Sequence, residues 1–521
     1  MYFVLARKNM TLGPAAKQSY RRSRKEELIM KTIRELVEKL DYTCERGSVE
    51  REITEVIYDS RKISEGCLFI CIKGANFNGH AFAKEACEKK AACIVICEDV
   101  EILADYDITV IRVEDTRYAM AFISAAWFGN PAEKLKVIGI TGTKGKTTTT
   151  YLVKSILEQA GRKVGLIGTI ETIIGEEHIH ASNTTPESYI LQETFAKMVE
   201  AGLDSVVMEV SSQGLMLHRT QGFIFDYGIF TNLEPDHIGP NEHDSFEDYM
   251  YCKGLLFKQC KVGIVNCDDK HYQDVVKDYT CELLTYGLEN PADYKADHMQ
   301  LVRENGHIGV AFTVSGRTNM QVEIPTPGRF SVYNALTAVA ICDQFGANQE
   351  AVAKALMEAK VKGRIELVKV SDEFTLMIDY AHNAMALESL LGTLKEYEPH
   401  RLVSVFGCGG NRSKIRRYEM GEVSGRLADF TIITSDNPRF EEPAAIMDDI
   451  EIGMKKTNGQ YIKIEDRKEA IRYAILNGEP GDIIVLAGKG HEDYQEIKGI
   501  KYPMDERVLI REIMEEEHLK V

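Results

Sequence analysis

Gly139-Ile-Thr-Gly-Thr-Lys-Gly-Lys-Thr-Thr148 is the stretch that decides how this chain folds. The short apolar run 135–138 precedes it and predicts a buried strand, and residues 149–157 follow with a helical pattern. A glycine-rich turn between a strand and a helix directs main-chain N–H groups and the positive helix end to one point, where an anion fits. The sequence therefore predicts a phosphate-binding loop.

The side chains of this loop favour a nucleotide. Lys146 offers a mobile charge for phosphates, and Thr147 offers a hydroxyl for Mg²⁺. The spacing is GxxGxxGKT and not the strict GxxxxGK[ST], because residue 140 is Ile where the strict form has Gly. The alternative is a chance turn rich in Gly and Thr, which the strand-loop-helix context disfavours.

Composition restricts the class of protein. The chain has 521 residues, 44% of them hydrophobic and 27% charged, which is typical of about three globular domains. The net charge of −17 argues against a nucleic-acid or membrane partner, and no apolar run is long enough to span a bilayer. The twelve Cys form no CxxC pair, which favours reduced thiols in the cytoplasm.

We predict an α/β protein with three domains, at residues 30–132, 133–360 and 361–521. Residues 1–29 form a basic stretch that we interpret as a disordered extension or as the product of a start codon upstream of Met30. Strand patterns alternate with helical ones in the central domain, which indicates a mostly parallel sheet. The predicted strands there are residues 136–140, 164–168, 205–210, 227–232 and 262–266.

In the third domain, four apolar runs each end in a polar cluster. The clusters are residues 379–382, 407–412, 435–439 and 488–492. Ligands of open α/β sheets bind beyond the carboxyl ends of strands, so the four clusters predict one crevice. Four ordinary polar turns are the alternative.

Three polar residues of the central domain are candidates for metal chemistry. Glu209 ends an apolar run, as a Mg²⁺ ligand would, although a solvated surface Glu is the alternative. His237 could bind metal or cap a loop, and Lys253 lies on a helical apolar pattern where a lysine usually reaches solvent.

Taken in order, the motifs resemble those of the Mur ligase family, and among them the ligases that add the third residue of the peptidoglycan stem peptide. The matching segments are residues 141–148, 183–186, 209–212, 231–237, 253–257, 332–335, 363–364, 379–382, 436–439 and 488–492. The resemblance implies an amino-terminal UDP-binding domain, a central ATPase domain with a P-loop-type sheet, and a Rossmann-like carboxyl-terminal domain that binds an amino acid.

The resemblance also implies the reaction. A ligase of this kind uses ATP and Mg²⁺ to join an amino acid, here meso-diaminopimelate, to UDP-N-acetylmuramoyl-L-Ala-D-Glu through an acyl phosphate in the cytoplasm. Its partners are these small molecules, and we expect a monomer. By the same resemblance, Lys253 is carbamylated, and Thr147, Glu209, His237 and Lys253 hold the metal, with Lys146 as a further catalytic residue.

The remaining site residues follow from the resemblance in three groups. The ATP group is Gly142, Thr143, Lys144, Gly145, Lys146, Thr147, Thr148, Asn334, Arg364 and Asp379. The group for the UDP-sugar-peptide is Ser60, Asn183, Thr184, Thr185, Ser211 and Arg219. The group for the incoming amino acid is Arg412, Asp436, Asn437, Pro438, Arg439, Gly488 and Glu492.

Arg439 favours diaminopimelate, because a guanidinium can hold the distal carboxylate that lysine lacks. Its alternative is a surface arginine paired with Glu441 or Glu442. Some positions depart from the family pattern, which leaves open L-lysine or another amino acid as the acceptor. These are Gln213, Asn383, Ala384, Asn411, Ser413 and the loop 238–243.

Other functional classes also stay open. They are a folylpolyglutamate or cyanophycin-type ligase, a P-loop switch or kinase, and a non-catalytic binding protein. His382 is the one acid–base candidate.

Overall fold

The structure is a computed structural model that describes residues 30–74, 77–101, 105–236, 238–239, 242–304 and 307–519. The predicted extension 1–29 and His237 lie outside the described residues. The chain forms two compact units. One comprises the residues up to Lys134 with Pro186–Ala196 and Met216–Phe223, and the other comprises Leu135–Thr185, Lys197–Leu215 and Ile224 onward.

The first unit is built on a five-stranded sheet with the order β2-β7-β6-β5-β4, parallel except for the pair β2–β7. Its elements are β1 Lys31–Thr32, α1 Ile33–Val37, β2 Thr43–Arg46, β3 Glu52–Ile53, β4 Val56–Ile57, β5 Leu68–Ile70, α2 Ala83–Glu88, β6 Cys93–Ile96, β7 Thr109–Arg112 and α3 Thr116–Trp127. Asp115 caps α3, because its Oδ1 accepts hydrogen bonds from the main-chain N–H groups of Arg117 and Tyr118.

The second unit begins with an eleven-stranded sheet, whose order is β11-β10-β9-β12-β8-β13-β14-β15-β16-β17-β18. Its elements are β8 Lys136–Thr141, α4 Lys146–Gln159, β9 Val164–Ile167, β10 Glu171–Ile174, β11 Glu177–His180, α5 Ser188–Glu200, β12 Ser205–Glu209, α6 Ser212–Met216, β13 Phe225–Phe230, α7 Phe246–Gly254, β14 Cys260–Asn266, α8 Tyr272–Val276, β15 Glu282–Gly287, β16 Tyr294–Glu304, β17 His307–Gly316, β18 Met320–Ile324, α9 Arg329–Asp343 and α10 Gln349–Glu358. Helix α5 contributes residues to both units.

The centre of this sheet is parallel, as the alternating pattern predicts, from β9 through β12, β8, β13 and β14 to β16. Both edges are antiparallel hairpins that the prediction lacks. Helices α4, α9 and α10 cover the sheet with apolar side chains such as Val153, Ile156 and Leu336. This packing fixes the end of β8, where the glycine-rich loop begins.

A six-stranded sheet follows within the same unit, with the order β19-β20-β24-β21-β22-β23. Its elements are β19 Glu366–Val368, β20 Thr375–Asp379, α11 Ala384–Lys395, β21 Leu402–Phe406, α12 Lys414–Leu427, β22 Phe430–Ile433, α13 Pro443–Met454, β23 Gln460–Lys463, α14 Arg467–Leu476, β24 Ile483–Ala487, β25 Tyr494–Ile497, β26 Ile500–Pro503 and α15 Glu506–Glu516.

The strands β20, β24, β21 and β22 of this sheet are parallel neighbours. Their carboxyl ends therefore share one edge, where the four predicted polar clusters begin. The α/β class is as predicted, and the three sheets correspond to the three expected domains. The exact domain boundaries stay a prediction. Within the described part of the chain, no helix combines the length and apolar character needed to cross a membrane.

Candidate active site

The glycine-rich loop connects β8 to α4, and two of its glycines have backbone angles that suit glycine. Gly142 has φ 146° and Gly145 has φ 86°. Gly145 is the N-cap of α4, and a Cβ there would lie 2.5 Å from Oδ1 of Asn334. Main-chain N–H groups at this helix start have no intrahelical partners, so the loop presents donors to an anion.

Two residues after β13 brace the loop. Oδ1 of Asn232 accepts from the main-chain N–H of Lys144 at 2.9 Å, and its Nδ2 donates to the carbonyl of Lys144 at 3.0 Å. The hydroxyl of Thr231 donates to the same carbonyl at 2.7 Å. Neighbouring parallel strands thus hold the cradle in shape without help from a ligand.

Two lysines, the half-buried Lys146 and the buried Lys253, point at the same loop. Nζ of Lys146 donates to the carbonyls of Gly142 and Thr143 at 2.8 and 3.0 Å, and Nζ of Lys253 donates to the carbonyl of Gly142 at 2.9 Å. Burial lowers the pKa of Lys146. Burial and the nearby charge of Lys146 lower the pKa of Lys253 well below its ordinary value. The solvent-reaching interpretation of Lys253 is wrong, because only 2% of the residue is exposed.

Glu209, at the end of β12, is fully buried, so the surface alternative is wrong here too. Both carboxylate oxygens accept from the hydroxyl of Thr147 at 3.0 Å. The main-chain N–H and the hydroxyl of Thr169 also donate to it, at 2.8 and 3.0 Å. A carboxylate beside a threonine hydroxyl next to a phosphate cradle is an oxygen donor set that fits Mg²⁺. His237, predicted to complete the set, lies outside the described residues.

Most of the residues predicted to hold the sugar-peptide lie around Glu209. The hydroxyl of Thr184 is 3.0 Å from that of Thr169, and the hydroxyl of Thr185 donates to the carbonyl of Glu209 at 3.0 Å. The main-chain N–H of Ser211 donates to Thr185 Oγ1 at 2.9 Å. Asn183 is exposed beside them.

Ser60 and Arg219 belong to the first unit. Asp59 caps the short helical turn that starts at Ser60. The guanidinium of Arg219 donates to Glu187 at 2.7 Å within the same unit. Their contact with a sugar-nucleotide stays a prediction.

A buried hydrogen-bonded chain escaped the sequence analysis. Nε2 of His243 is 2.8 Å from Oγ of Ser212, and its Nδ1 is 2.9 Å from a carboxylate oxygen of Asp248. Tyr249 packs its ring 5.2 Å from His243 and 4.4 Å from Nζ of Lys253. Its hydroxyl lies 3.0 Å from Oγ1 of Thr143, so helix α7 contacts both the loop and the start of α6. The one sequence signal was the four-residue spacing of Tyr249 and Lys253 on a helix.

The other residues predicted to contact ATP lie on α9 and around β20. Asn334 is buried in α9, and its Oδ1 accepts from the hydroxyl of Thr149 at 3.4 Å. Thr148 and Arg364 line one cavity of about 270 Å³ together with apolar side chains such as Leu152 and Ala335. The structure therefore brings both to a space large enough for part of a ligand.

Asp379 ends β20 and is fixed by main-chain donors. Its two oxygens accept from the N–H groups of Ile365 and Ala381, both at 2.8 Å. Burial raises the pKa of Asp379, whereas nearby Arg364 acts in the opposite direction. Arg364 lies 4.5 Å above the ring of Tyr380, in the same loop region.

Two histidines pack against Tyr380. His382 and His491 lie with their ring centres 4.6 and 4.7 Å from that of Tyr380. Burial lowers the pKa of His382, and burial with the charge of Arg364 lowers the pKa of His491 to about 3. Both rings are therefore neutral near pH 7. Neutral His382 has the free lone pair that a general base needs, and its lowered pKa makes it a weaker base than an ordinary imidazole.

The four predicted polar clusters lie against one another at the carboxyl ends of the strands, at the place named the crevice above, and a buried arginine contacts the ends of two of these strands. Arg467 donates to the carbonyls of Ser435 and Ala487 at 3.1 and 3.0 Å, which are the residues before Asp436 and Gly488. Its Nε donates to Glu506 at 2.8 Å. No sequence pattern indicated Arg467, because it lies at the start of a helix far along the chain from the residues it contacts.

Inside the crevice, Asn437, Lys489 and Glu492 are hydrogen-bonded to one another. Glu492 Oε2 accepts from Nζ of Lys489 at 2.7 Å and from Nδ2 of Asn437 at 2.9 Å. Asp436 and Pro438 lie on the same segment, which is buried. Gly488 has φ 105°, and a Cβ there would lie 3.2 Å from Oδ2 of Asp436. Arg412 is exposed at the start of the neighbouring helix.

Arg439 pairs with a carboxylate, but not with one of the two named above. Its Nε donates to Glu496 at 3.1 Å. Glu441 instead accepts from the buried Arg417 at 2.7 and 2.8 Å. The partners named in the surface-arginine alternative are wrong, because β25 brings Glu496, distant in sequence, next to the segment that follows β22. The contact of Arg439 with the amino acid stays a prediction.

Three family models match the chain. They are the Mur ligase family catalytic domain over residues 52–128, the Mur ligase middle domain over residues 140–342, and the Mur ligase glutamate ligase domain over residues 363–490. The matched segments include the loop 142–148 and the crevice residues up to Gly490.

Similar proteins cover nearly all of the chain. The UDP-N-acetylmuramoyl-L-alanyl-D-glutamate–2,6-diaminopimelate ligase of Caldanaerobacter subterraneus subsp. tengcongensis is 45% identical over 90% of this chain and 96% of its own length. Ligase 1 of the same name from Clostridium acetobutylicum is 44% identical over 93% of this chain and 99% of its own.

Solved structures of Mur ligases are similar to this chain as well. The structure of a UDP-N-acetylmuramoyl-L-alanyl-D-glutamate–2,6-diaminopimelate ligase has a TM-score of 0.70 at 28% identity, over 94% of this chain and 100% of that one. The MurF ligase of Thermotoga maritima in complex with ADP has a TM-score of 0.57 at 18% identity, over 89% and 97%, and so shows the shared fold. The chain belongs to the Mur ligase family.

Proposed function

We propose that this protein is an ATP-dependent amide ligase that adds meso-diaminopimelate to UDP-N-acetylmuramoyl-L-Ala-D-Glu. The relatives that carry this name at 41–45% identity support the reaction. The observation that carries the choice of amino acid is Arg439, whose guanidinium lies in the crevice beyond the strand ends. A guanidinium there can bind the distal carboxylate that distinguishes diaminopimelate from lysine.

The phosphate loop supports the first half of the reaction. A carboxylate is a poor electrophile, and phosphorylation to an acyl phosphate makes its carbonyl carbon reactive. We assign the triphosphate of ATP to the loop 142–148, with Lys146 against its phosphates. Positioning and charge neutralisation would supply most of the rate enhancement, as is general for phosphoryl transfer.

Thr147 and Glu209 would hold Mg²⁺, which neutralises phosphate charge when bound. His237 is assigned to the same role by family resemblance. Lys253 fits carbamylation, because its lowered pKa increases the fraction of neutral amine, the form that reacts with CO₂. Carbamylation would replace the amine of Lys253 by a negatively charged carbamate, which can act as an oxygen ligand beside the loop.

The carboxyl-terminal crevice supports the second half of the reaction, in which the amide bond forms. The amine of the incoming amino acid attacks the acyl phosphate, and phosphate leaves from the tetrahedral intermediate. Asn437, Glu492 and Gly488 would position the amino acid, with Arg412, Asp436 and Pro438 assigned alongside by resemblance. His382, neutral near pH 7, is the base candidate for the attacking amine.

The residues that bind the UDP-sugar-peptide and the domain boundaries are also part of this proposal. Ser60 and Arg219, with Asn183, Thr184, Thr185 and Ser211, would bind the UDP-sugar-peptide. We place the UDP-binding domain at residues 30–132, the ATPase domain at 133–360 and the amino-acid domain at 361–521, in a monomeric cytoplasmic enzyme.

A panel of amino acids tests the proposal. The purified protein receives ATP, Mg²⁺ and UDP-N-acetylmuramoyl-L-Ala-D-Glu, and phosphate release is measured with each amino acid. We expect release with meso-diaminopimelate, little with L-lysine, and none without an amino acid. Release with no amino acid present would support a kinase or a switch, and preference for another amino acid would refute the substrate.

Arg439→Ala is the sharper test of the amino acid. Losing a charged contact in a desolvated site costs about 2–5 kcal/mol, so KM for meso-diaminopimelate should rise strongly while ADP binding stays unchanged. Glu442→Gln, which alters an exposed neighbour, is the matched control. An unchanged KM in Arg439→Ala would refute the role of the guanidinium.

A further inference from the structure

Helix α7 and the residues just before it bring together three side chains that can ligate a metal ion. His243 precedes the helix, and Asp248 and Cys252 lie on it four residues apart, which puts them on one face. An imidazole nitrogen, a carboxylate oxygen and the sulfur all lie within 4.8 Å of one another. The proposed reaction assigns no role to these three side chains.

The separations between the ligand atoms suit one small cation. Nδ1 of His243 is 2.9 Å from Oδ2 of Asp248, and Sγ of Cys252 is 3.6 Å from Oδ1 of the same carboxylate. Around a tetrahedral Zn²⁺ ion, the usual bond lengths place neighbouring nitrogen, oxygen and sulfur ligands roughly 3.3–3.6 Å apart. The hydrogen-bonded cluster is close to this arrangement, so small side-chain rotations would form a coordination shell.

The imidazole is already oriented for this role. His243 is fully buried, and its second nitrogen, Nε2, is 2.8 Å from Oγ of Ser212. The ring of Tyr249 packs against it with the ring centres 5.2 Å apart. A metal-bound histidine usually forms a hydrogen bond through its other nitrogen, which fixes the ring. Ser212 is in the position to do this while Nδ1 faces Asp248.

The start of α7 fixes the carboxylate. The main-chain N–H of Asp248 donates to Oγ of Ser245, the N-cap of the helix, at 3.1 Å. The Asp248 side chain is 35% exposed, whereas His243 and Cys252 are buried. An ion can therefore enter on the side of Asp248, and solvent can occupy a fourth coordination position there.

The donor set selects the ion. Mg²⁺ prefers oxygen ligands, whereas a thiolate and an imidazole favour Zn²⁺. We propose that His243, Asp248 and Cys252 form a Zn²⁺ site. The thiolate and the carboxylate balance the charge of the ion, and the proton that Cys252 now donates to Asp248 passes to solvent. This site is separate from the Mg²⁺ site proposed at Glu209, and its ion fixes His243 against α7.

The experiment uses Co²⁺ as a spectroscopic probe for Zn²⁺ in the full-length protein. The protein is treated with a chelator, kept reduced under an inert atmosphere, and titrated with Co²⁺ in a large excess of Mg²⁺ without substrates. Absorption records the thiolate-to-cobalt charge-transfer band and the d–d bands of four-coordinate Co²⁺, and Zn²⁺ is then added as a competitor. The variants are Cys252→Ser, Asp248→Asn and Ser212→Ala. The control is Cys267→Ser, which changes a buried thiol outside the cluster.

We expect a single equivalent of Co²⁺ to produce both kinds of band and Zn²⁺ to abolish them. Cys252→Ser should lose the charge-transfer band, and Cys267→Ser should keep it. Asp248→Asn and Ser212→Ala should each weaken Co²⁺ binding about tenfold or more, because one loses a charged ligand and the other the partner that orients the histidine. Zn²⁺ should raise the Tm of the wild type but not that of Cys252→Ser.

The absence of a charge-transfer band in the wild type would refute the site. A band that persists in Cys252→Ser would place the thiolate elsewhere, and displacement of Co²⁺ by Mg²⁺ would place the ion among oxygen ligands. Should Cys252→Ser fail to fold, Asp248→Asn decides, because it keeps the thiol, and unchanged affinity in this variant contradicts the coordination. No substrate is present, so these outcomes are independent of the ligase reaction.

Discussion

The phosphate loop and the carboxyl-terminal crevice handle buried charge in opposite ways. At the loop, the side-chain nitrogens of Lys146 and, from α7, of Lys253 donate to main-chain carbonyls, and burial lowers the pKa of both. In the crevice, Arg439, Lys489 and Arg467 each donate to a carboxylate. The loop therefore has a cationic side chain, that of Lys146, which an anionic ligand can neutralise. In the crevice, the cationic side chains are already paired with carboxylates of the protein.

This difference matches the ligands that each region would take. A triphosphate places negative charge beside the half-buried ammonium group of Lys146, whose pKa is lowered by burial, so the ligand supplies a counter-charge at this point. An amino acid is a zwitterion, so a crevice with paired charges can exchange internal partners for ligand groups at little net electrostatic cost. We therefore expect that removing a charged side chain lowers activity more at the loop than in the crevice.

The largest effect should follow from Lys146→Ala. Loss of a preorganised charge at the transferring phosphoryl group should lower kcat about 10³-fold, measured as phosphate release with all three substrates. Lys154→Ala is the matched control, because Lys154 lies on the same helix and pairs with Glu158 at 2.6 Å. Activity within tenfold of the wild type in Lys146→Ala would contradict the assignment of the loop.

Lys253→Ala should lower kcat about 10²-fold, because it removes the group assigned to become an oxygen ligand. A short carboxylic acid added to the assay should restore part of the activity by occupying the vacated space. Lys258→Ala, which changes an exposed lysine shortly after the same helix, should behave as the wild type. Failure of every carboxylic acid tested to rescue activity would argue for a purely cationic role.

His243→Ala should have an intermediate effect. It removes the buried imidazole that joins Ser212 to Asp248, which should cost about 1–3 kcal/mol of stability, and kcat should fall roughly tenfold as α7 loosens. Thermal unfolding and phosphate release measure the two parts. His271→Ala is the control on a neighbouring helix start, and equal losses in both variants would show that the chain around His243 has no special role.

The smallest effect concerns pH and the paired charges beside the crevice. Hydrogen bonds from Arg417 lower the pKa of Glu441 from 4.5 to about 2. Because the folded-state pKa is the lower one, this carboxylate stabilises the fold above about pH 4.5, and the contribution disappears as the pH falls towards 2. Glu441→Gln should therefore cost about 1–2 kcal/mol at pH 7 and progressively less at lower pH.

Urea unfolding of Glu441→Gln and the wild type across this pH range checks the prediction. The exposed Glu442→Gln serves again as the control and should show no pH-dependent difference. A difference between Glu441→Gln and the wild type that grows as the pH falls would have the wrong sign for a lowered pKa.

Local pattern predicted most of the secondary structure near the sites. Strands β8, β12, β21 and β24 lie within a residue or two of their predicted positions, because continuous apolar runs bounded by Gly or polar clusters have few other solutions. The hairpin edges β10–β11 and β16–β18 were missed, since half-exposed strands give a weak pattern. The sequence also led to the correct family through ordered motifs.

The charge environment of the site residues could not be predicted from local sequence pattern. Sequence identified Lys253, Glu209 and Arg439 as chemically interesting, because residue type and order along the chain are local information. Only the tertiary structure buried Lys253 and Glu209, placed His243 against Ser212, and brought Glu496 to Arg439. Burial and ion pairing depend on which distant segments share space, and that is decided by the packing of helices and hairpins on the sheets.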